Sequence, residues 1–455
     1  MRSFLTACLA VCAAGLAAQS GWQTLFNKTD LRGWVQRGGQ ADYRAEAGMI
    51  IGTTRAGTPN SFLCTASDHA DFILELEVWV DPSLNSGIQF RSRSRPDYRD
   101  GQVHGYQAEI DPSPRAYSGG IYDEGRRGWL CPLADHPEGR KAFRVGEWNR
   151  YRIEAVGPLL TVRVNGVQTA RLWDETTAAG FIALQVHSVS DESQAGKEVR
   201  WRNIVLLPNP TPADLLPADP AAPEVNLLPN RLSDLEQQRG WRLLWDGRTT
   251  NGWRSARGPA FPAKGWSVQD GILTVQAGNG GESTNGGDII TTDTLTDFEL
   301  SLEFRITEGA NSGIKYFVQP DLNRTGGSAI GCEYQLLDDQ RHPDATMGKE
   351  GNRTLGSLYD LIPAANLSVP GREKPFRGPG TWNLARIVVH GNQVEHWLNG
   401  FLIVRYERNT PAFRALVADS KYRIWPGFGD WPSGHILLQD HGNEVSFRSI
   451  KLRAL

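Results

Sequence analysis

Asp71-Phe72-Ile73-Leu74-Glu75-Leu76-Glu77, followed by Asn85-Ser86-Gly87-Ile88, returns later in the chain as Asp297-Phe298-Glu299-Leu300-Ser301-Leu302-Glu303, followed by Asn311-Ser312-Gly313-Ile314. In both stretches apolar residues recur at every second position, the period of a strand with one face in a core. Other landmarks keep the same order. Gly21-Trp22-Gln23-Thr24-Leu25-Phe26, closed by Gly33-Trp34, answers Gly240-Trp241-Arg242-Leu243-Leu244-Trp245, closed by Gly252-Trp253. Trp148-Asn149 matches Trp382-Asn383, Asn165-Gly166 matches Asn399-Gly400, and Gly180-Phe181-Ile182-Ala183-Leu184-Gln185-Val186-His187-Ser188 matches Gly434-His435-Ile436-Leu437-Leu438-Gln439-Asp440-His441-Gly442. The repeat is therefore of whole domains, each the size of a large β-sandwich, and not of a short solenoid unit.

Tyr151-Arg152-Ile153-Glu154-Ala155-Val156, Leu160-Thr161-Val162-Arg163-Val164 and Arg386-Ile387-Val388-Val389-His390 read as further strands. Asn165-Gly166 and Asn399-Gly400 are strong hairpin turns, because asparagine and glycine accept the positive φ that tight turns demand. Few stretches carry a helical apolar stripe. The expected fold class is all-β, two tandem β-sandwich (jelly-roll) domains covering residues 19–207 and 233–455. Between them, residues 208–232 hold Pro208, Pro210, Pro212, Pro217, Pro220, Pro223 and Pro229, which predicts an extended, semi-rigid linker.

A formal charge of −3 on 455 residues, with no block of lysine and arginine, argues against nucleic acid as a main partner. The 49 glycines and 15 tryptophans fit a loop-rich β protein with aromatic surfaces, which suit the apolar C–H faces of sugars. Residues 1–18 read as a secretory signal peptide with cleavage near Ala18, too short in its apolar run to span a membrane. The product is then exported, periplasmic or extracellular. A lipidated cysteine is the weaker variant, since Cys8 comes early and a bulky valine precedes Cys12. The remaining Cys64, Cys131 and Cys332 form no disulfide framework, although Cys64 and Cys131 share a domain and can pair. No CxxC or HExxH spacing marks a zinc site. The sequence leaves the oligomeric state open.

Strand alternation sorts the polar side chains. Ile182, Leu184 and Val186 turn to the core and Gln185 and His187 away from it; Ile436 and Leu438 turn inward, and His435, Leu437, Gln439 and His441 outward. Gln107, Glu109 and Asp111 share one face, as do Glu333 and Gln335. After each Asn-Ser-Gly, which contributes Asn85 and Asn311, the alternation offers Gln89 and Arg91 in the first copy and Lys315 in the second. A wetted sheet face favours Lys, Glu and Thr more than Gln, His, Trp and Asn, so the mixture points to binding or catalysis. The segment Arg115 to Trp129, with Tyr122 and Arg126, and its counterpart with Tyr359 and Asp360, supply a rim. Surface salt bridges explain their charges equally well.

Together, the Asn-Ser-Gly-Ile, Gly-Tyr-Gln-Ala-Glu-Ile-Asp-Pro-Ser-Pro-Arg, Ser-Gly-Gly-Ile-Tyr-Asp-Glu-Gly-Arg-Arg-Gly-Trp, Trp-Asn, Asn-Gly and Leu-Gln-Asp-His-Gly stretches resemble the 3-keto-disaccharide hydrolase (3-keto-glycoside hydrolase/lyase) domain family. The resemblance covers both units and implies a concanavalin A-like, laminarinase-like jelly roll and a carbohydrate substrate. A ketone at C3 acidifies the C2 proton, so its removal with loss of the C1 substituent splits the glycosidic bond. That chemistry needs a base, a proton donor and a positive group. His441 and His187 are candidate bases, Glu333 and Glu109 acid/base partners with Gln335 beside them, and Lys315 and Arg91 candidates to polarise the C3 oxygen. A divalent metal held by Glu, Gln and His is an alternative to the cation. Asn85, Gln107, Asp111, Tyr122, Arg126, Trp129, Gln185, Asn311, Tyr359, Asp360 and Gln439 are the candidate substrate contacts. Since Glu and Gln exchange places between the copies, either both work or one only binds. Two other functions stay open: a non-catalytic carbohydrate-binding protein, and a conventional two-carboxylate glycoside hydrolase. Against the latter, neither copy carries the laminarinase-type Glu-x-Asp-x-x-Glu signature.

Overall fold

The structure is a computed structural model that describes residues 21–278, 281–324, 326–365 and 374–455. The expected leader, with Cys8 and Cys12, lies outside the described residues. Each copy is a sandwich of two antiparallel sheets. In the first, a back sheet is centred on Phe72–Val80, flanked by Asn149–Val156 and Glu198–Pro208. Its front sheet runs Gly128–Cys131, Ile121–Glu124, His104–Ile110, Ser86–Arg93, Phe181–Val186, Ser61–Thr65, Trp34–Gly38. The second copy repeats this with Phe298–Ile306 between Asn383–His390 and Val445–Ala454 at the back. Its front order is Trp253–Ser255, Ile289–Thr291, His435–Leu438, Asn311–Gln319, Ile330–Leu337.

The period-two residues fill the space between the sheets. Ile88, Tyr106 and Leu184 meet Leu74, Tyr151 and Trp201 in the first core, and Ile314, Tyr334 and Leu438 meet Leu300, Ile387 and Phe447 in the second. Each such side chain contributes about 1.5–3 kcal/mol on burial. Ala183 and Leu437 join separate small clusters, which confirms that the neighbours of core residues on these strands turn to the outer face of the front sheet.

The repeated motifs have structural causes. Both residues of each Asn-Gly turn have positive φ, and the asparagine side chain donates to the Asn of the Trp-Asn pair: Asn165 to Asn149 at 2.7 Å, Asn399 to Asn383 at 2.8 Å. Trp-Asn and Asn-Gly therefore recur together because one closes on the other. In Asn-Ser-Gly, the serine hydroxyl donates to the backbone carbonyl of Gln185 (2.7 Å) or Gln439 (2.8 Å) on the neighbouring strand. The glycine is required because the Gln107 or Glu333 side chain lies across it; a Cβ on Gly87 or Gly313 would meet that side chain at 2.2 Å.

The proline-rich segment is no free tether. Val225–Asn226 adds a parallel strand beside Leu172 and Trp173, and Arg163 donates to the Pro217 carbonyl. Asn226 then accepts from Lys451, and Asn230 exchanges hydrogen bonds with Ser449, both of the second sandwich. The sandwiches also meet directly: Arg377 donates to the Trp129 carbonyl (2.8 Å), Arg386 pairs with Asp135 (2.9 Å), and Phe401 packs with Tyr117 and Leu133. Cys64 and Cys131 do not pair; all three described cysteines are free and buried, and burial pushes each thiol up to about 12.

Candidate functional site

On the outer face of the second front sheet, Lys315 and Glu333 stand opposite each other on paired strands. The Lys315 ammonium is 3.6 Å from the Glu333 carboxylate, with the side chains 6 % and 4 % exposed. Lys315 also donates to Ser328 Oγ (2.6 Å) and the Ala329 carbonyl (3.3 Å), and Ser328 donates to Asp288. Burial raises the pKa of Glu333 above the usual carboxylate value, opposed by the charges of Lys315 and Lys421. Tyr422 donates to the same carboxylate at 3.5 Å.

One register step away, Gln335 Nε2 donates to Asn311 Oδ1 (3.3 Å), which turns Asn311 Nδ2 toward His441 Nε2 at 3.5 Å. His441 Nδ1 is buried without a partner. The His441 ring lies edge-on to that of His342, centroids 6.1 Å apart. Gln439 donates to Glu282 at 3.0 Å, and Gln439 Oε1 and Gln335 Oε1 are buried without partners. Buried polar atoms left unpaired cost about 1–3 kcal/mol each, so this face is built for polar groups the protein does not supply.

Asp440, between Gln439 and His441, points the other way: it accepts from the backbone N–H groups of Gly286, Gly287 and Gly442 and clamps the loop that carries Glu282. The rim residues divide. Tyr359 donates to Asp344 and lies under the Lys421 ammonium, 4.1 Å from the ring centre. Asp360 accepts from Arg353 and from the Lys421 backbone, so it holds the rim and does not face the sheet's polar centre. Desolvation, with Lys315 nearby, lowers the pKa of Lys421, but the residue is exposed, and contact with water keeps that shift small.

The first copy keeps the register and changes the groups. Gln89 and Gln107 occupy the positions of Lys315 and Glu333 and share a hydrogen bond of 2.6 Å. Its carboxylate is Glu109, opposite Gly87, with one oxygen accepting from Asn85 (2.7 Å) and the other from Gln107 (2.8 Å). Burial raises its pKa. Asp111 accepts from Arg115 at 2.7 Å and orders the following loop; Arg115 reaches Glu109 at 3.8 Å. Tyr122 and Trp129 pack edge to face beside them, centroids 5.3 Å apart. Gln185 is 0 % exposed, yet neither its oxygen nor its nitrogen has a partner. His187 engages the Ser188 carbonyl at 2.8 Å.

Two expected residues are elsewhere. Arg91 has φ +45°, at a bulge that breaks the strand's alternation; its guanidinium is buried against Asp71 (2.8 Å) and the carbonyls of Ala70 and Gly157. Arg126 follows Asp123, which faces the core while Tyr122 and Glu124 face out, and it bonds Asp123 and Thr177. Sequence reasoning missed Lys421, Tyr422, Glu282, His342 and Ser328 in the second copy. Lys421 and Tyr422 arrive on the segment between Phe401–Glu407 and His435–Leu438, whose much greater length than its counterpart before Phe181 was the available signal.

Among the described residues no three His, Cys, Asp or Glu side chains converge as metal ligands. The Lys315 ammonium stands beside Glu333 where a cation would need to sit, so the donor set there does not fit a divalent metal. No described helix is long and apolar enough to cross a membrane.

These features define a two-sandwich protein whose front sheets each present a buried polar face. The chain belongs to the 3-keto-alpha-glucoside-1,2-lyase-like domain family, whose model matches residues 21–207 and again 240–453. It is 36 % identical over 236 residues to the 3-keto-disaccharide hydrolase of Bacteroides thetaiotaomicron, a match covering 48 % of this chain and 79 % of that protein. A crystal structure of a protein assigned as a glycosyl hydrolase from Parabacteroides distasonis is 28 % identical, covers 50 % of this chain and 100 % of its own, and has a TM-score of 0.43. A carbohydrate-binding module from Bacillus subtilis is 15 % identical, covers 38 % and 93 %, and has a TM-score of 0.27.

Proposed function

We propose that the second copy cleaves the glycosidic bond of 3-keto-glycosides by elimination across C1–C2. The family and the Bacteroides relative support a glycoside-cleaving enzyme with a carbohydrate substrate. The observation that carries the finer reading is the buried Lys315–Glu333 pair with Lys421 and His441 on the same face. His441 Nε2 takes the C2 proton, and the C–H electron pair forms an enolate whose charge collects on the C3 oxygen. The ammonium groups stabilise that charge in a poorly hydrated site. The pair then moves to C1=C2 as the C1–O bond breaks. Glu333, whose carboxyl group burial pushes toward the acid form, donates to the departing oxygen. Products are the free alcohol and an unsaturated keto sugar; water adding across C1=C2 converts the latter to the 3-keto sugar, a net hydrolysis. The divalent metal considered from the sequence has no part in these steps.

The test is to incubate the protein with a 3-keto-glucoside and its unoxidised parent in D2O. The expected result is release of alcohol from the keto compound alone, with deuterium at C2 of recovered substrate or product. Equal cleavage of the parent would instead support a two-carboxylate hydrolase, and cleavage of neither would remove the enzymatic reading.

A further inference from the structure

The first copy's face has the geometry of a site without the groups the proposed elimination uses. Where Lys315 and Glu333 stand, Gln89 and Gln107 bond each other, so no ammonium faces a developing enolate. Glu109, the one carboxylate at its centre, is engaged by Asn85 on one oxygen and by Gln107 on the other. Beside Glu109 and the Arg115 that reaches it lie a row of amides, Asn85, Gln89, Gln107 and Gln185, and an aromatic wall. The amide of Gln185, fully buried with donor and acceptor both unsatisfied, points to a ligand that offers both. Hydroxyl groups do so, and they carry no charge.

The wall is held firmly. Trp129 packs edge-on against Tyr122 and Tyr117, and Arg115 lies over its ring at 5.3 Å. From the second sandwich, Arg377 grips the Trp129 carbonyl and Phe401 backs Tyr117. A rigid aromatic edge beside neutral amides matches a sugar ring, with C–H groups on one side and hydroxyls on the other.

We propose that the first copy is a non-cleaving saccharide site, which holds neutral glycosides with their C3 hydroxyl intact beside the cleaving second copy. This rests on the reading of the second copy as the catalytic one. The test uses the full chain and calorimetric titration with trehalose, maltose and cellobiose, alongside turnover of the matching 3-keto-glycosides. At least one sugar is expected to bind. Gln185→Leu, which keeps the volume and removes the amide, and Trp129→Ala should each weaken that binding about tenfold or more. Glu333→Gln should leave sugar binding unchanged. Binding of none of the three sugars overturns the proposal, as does binding lost only in Glu333→Gln. If keto-glycosides are not cleaved but sugar binding follows Gln185 and Trp129, the function proposed for the second copy fails and the first-copy site stands.

Discussion

Where the second copy sets an ammonium against a carboxylate, Lys315 facing Glu333, the first sets amide against amide, Gln89 facing Gln107. The strands, the register and the glycine beneath are the same. The fold therefore does not require the ion pair. Taking a lysine and a carboxyl group out of water costs free energy that their mutual attraction only partly offsets. An amide pair satisfies the same sheet at lower cost, so the lysine and the carboxyl group belong to what the second face does. The carboxylate has also moved one register step, from Glu333 to the place of Glu109, where amides cap both oxygens. Family membership of both halves thus establishes a shared scaffold, while the chemistry is settled residue by residue.

The largest expected effect comes from the histidines. Substituting His441→Ala should lower kcat on a 3-keto-glycoside about 10²–10⁴-fold, the usual range for a lost proton acceptor. His187→Ala should change it by less than about twofold, because the first copy sets Gln89 and Gln107 where the second has Lys315 and Glu333. Equal losses in the two variants would erase the distinction between the copies.

Next is Glu333→Gln, expected to cost about 100-fold on substrates with alkyl leaving groups and far less on nitrophenyl ones, which depart without a proton. Burial raises the Glu333 pKa, so the acid form persists above the ordinary carboxylate range, and activity is kept below that raised value and lost as pH rises through it. A pH profile of kcat should show this alkaline loss in the native protein and not in the Gln variant. The corresponding first-copy change, Glu109→Gln, should leave the profile as it was.

Much of this comparison was legible in the sequence. Alternation alone placed Gln107 with Glu109, Glu333 with Gln335, and Gln185 and Gln439 on the face away from the core, because a regular strand has only two faces. It failed at Arg91, where positive φ inserts a bulge; the equivalent Phe317 has φ +53° and turns into the second core. Nothing in a local pattern shows which residue of a strand adopts such a conformation. Arg126 was misplaced for a related reason: a loop arginine follows its carboxylate partner, and Asp123 faces inward. Lys421, Tyr422 and Glu282 reach the site from loops far along the chain, and a strand period carries no information about where a loop docks.

The smallest effect concerns the position where the two tails differ, Asp440 against Val186. Val186 fills the first core, whereas Asp440 accepts three backbone N–H groups and holds the loop whose Glu282 receives the Gln439 amide. Asp440→Asn keeps the shape but replaces one acceptor oxygen with a donor facing other donors. The loop around Gly286 should loosen, at a cost of about 1–3 kcal/mol. Since Asp440 is turned away from the sheet's outer polar face, the loss should appear as a lower Tm and a several-fold higher KM, with kcat and its pH profile nearly unchanged. A displaced pH profile would instead make Asp440 the partner of His441, and the pair of Gln439 and His441 would no longer be the part of the tail that matters.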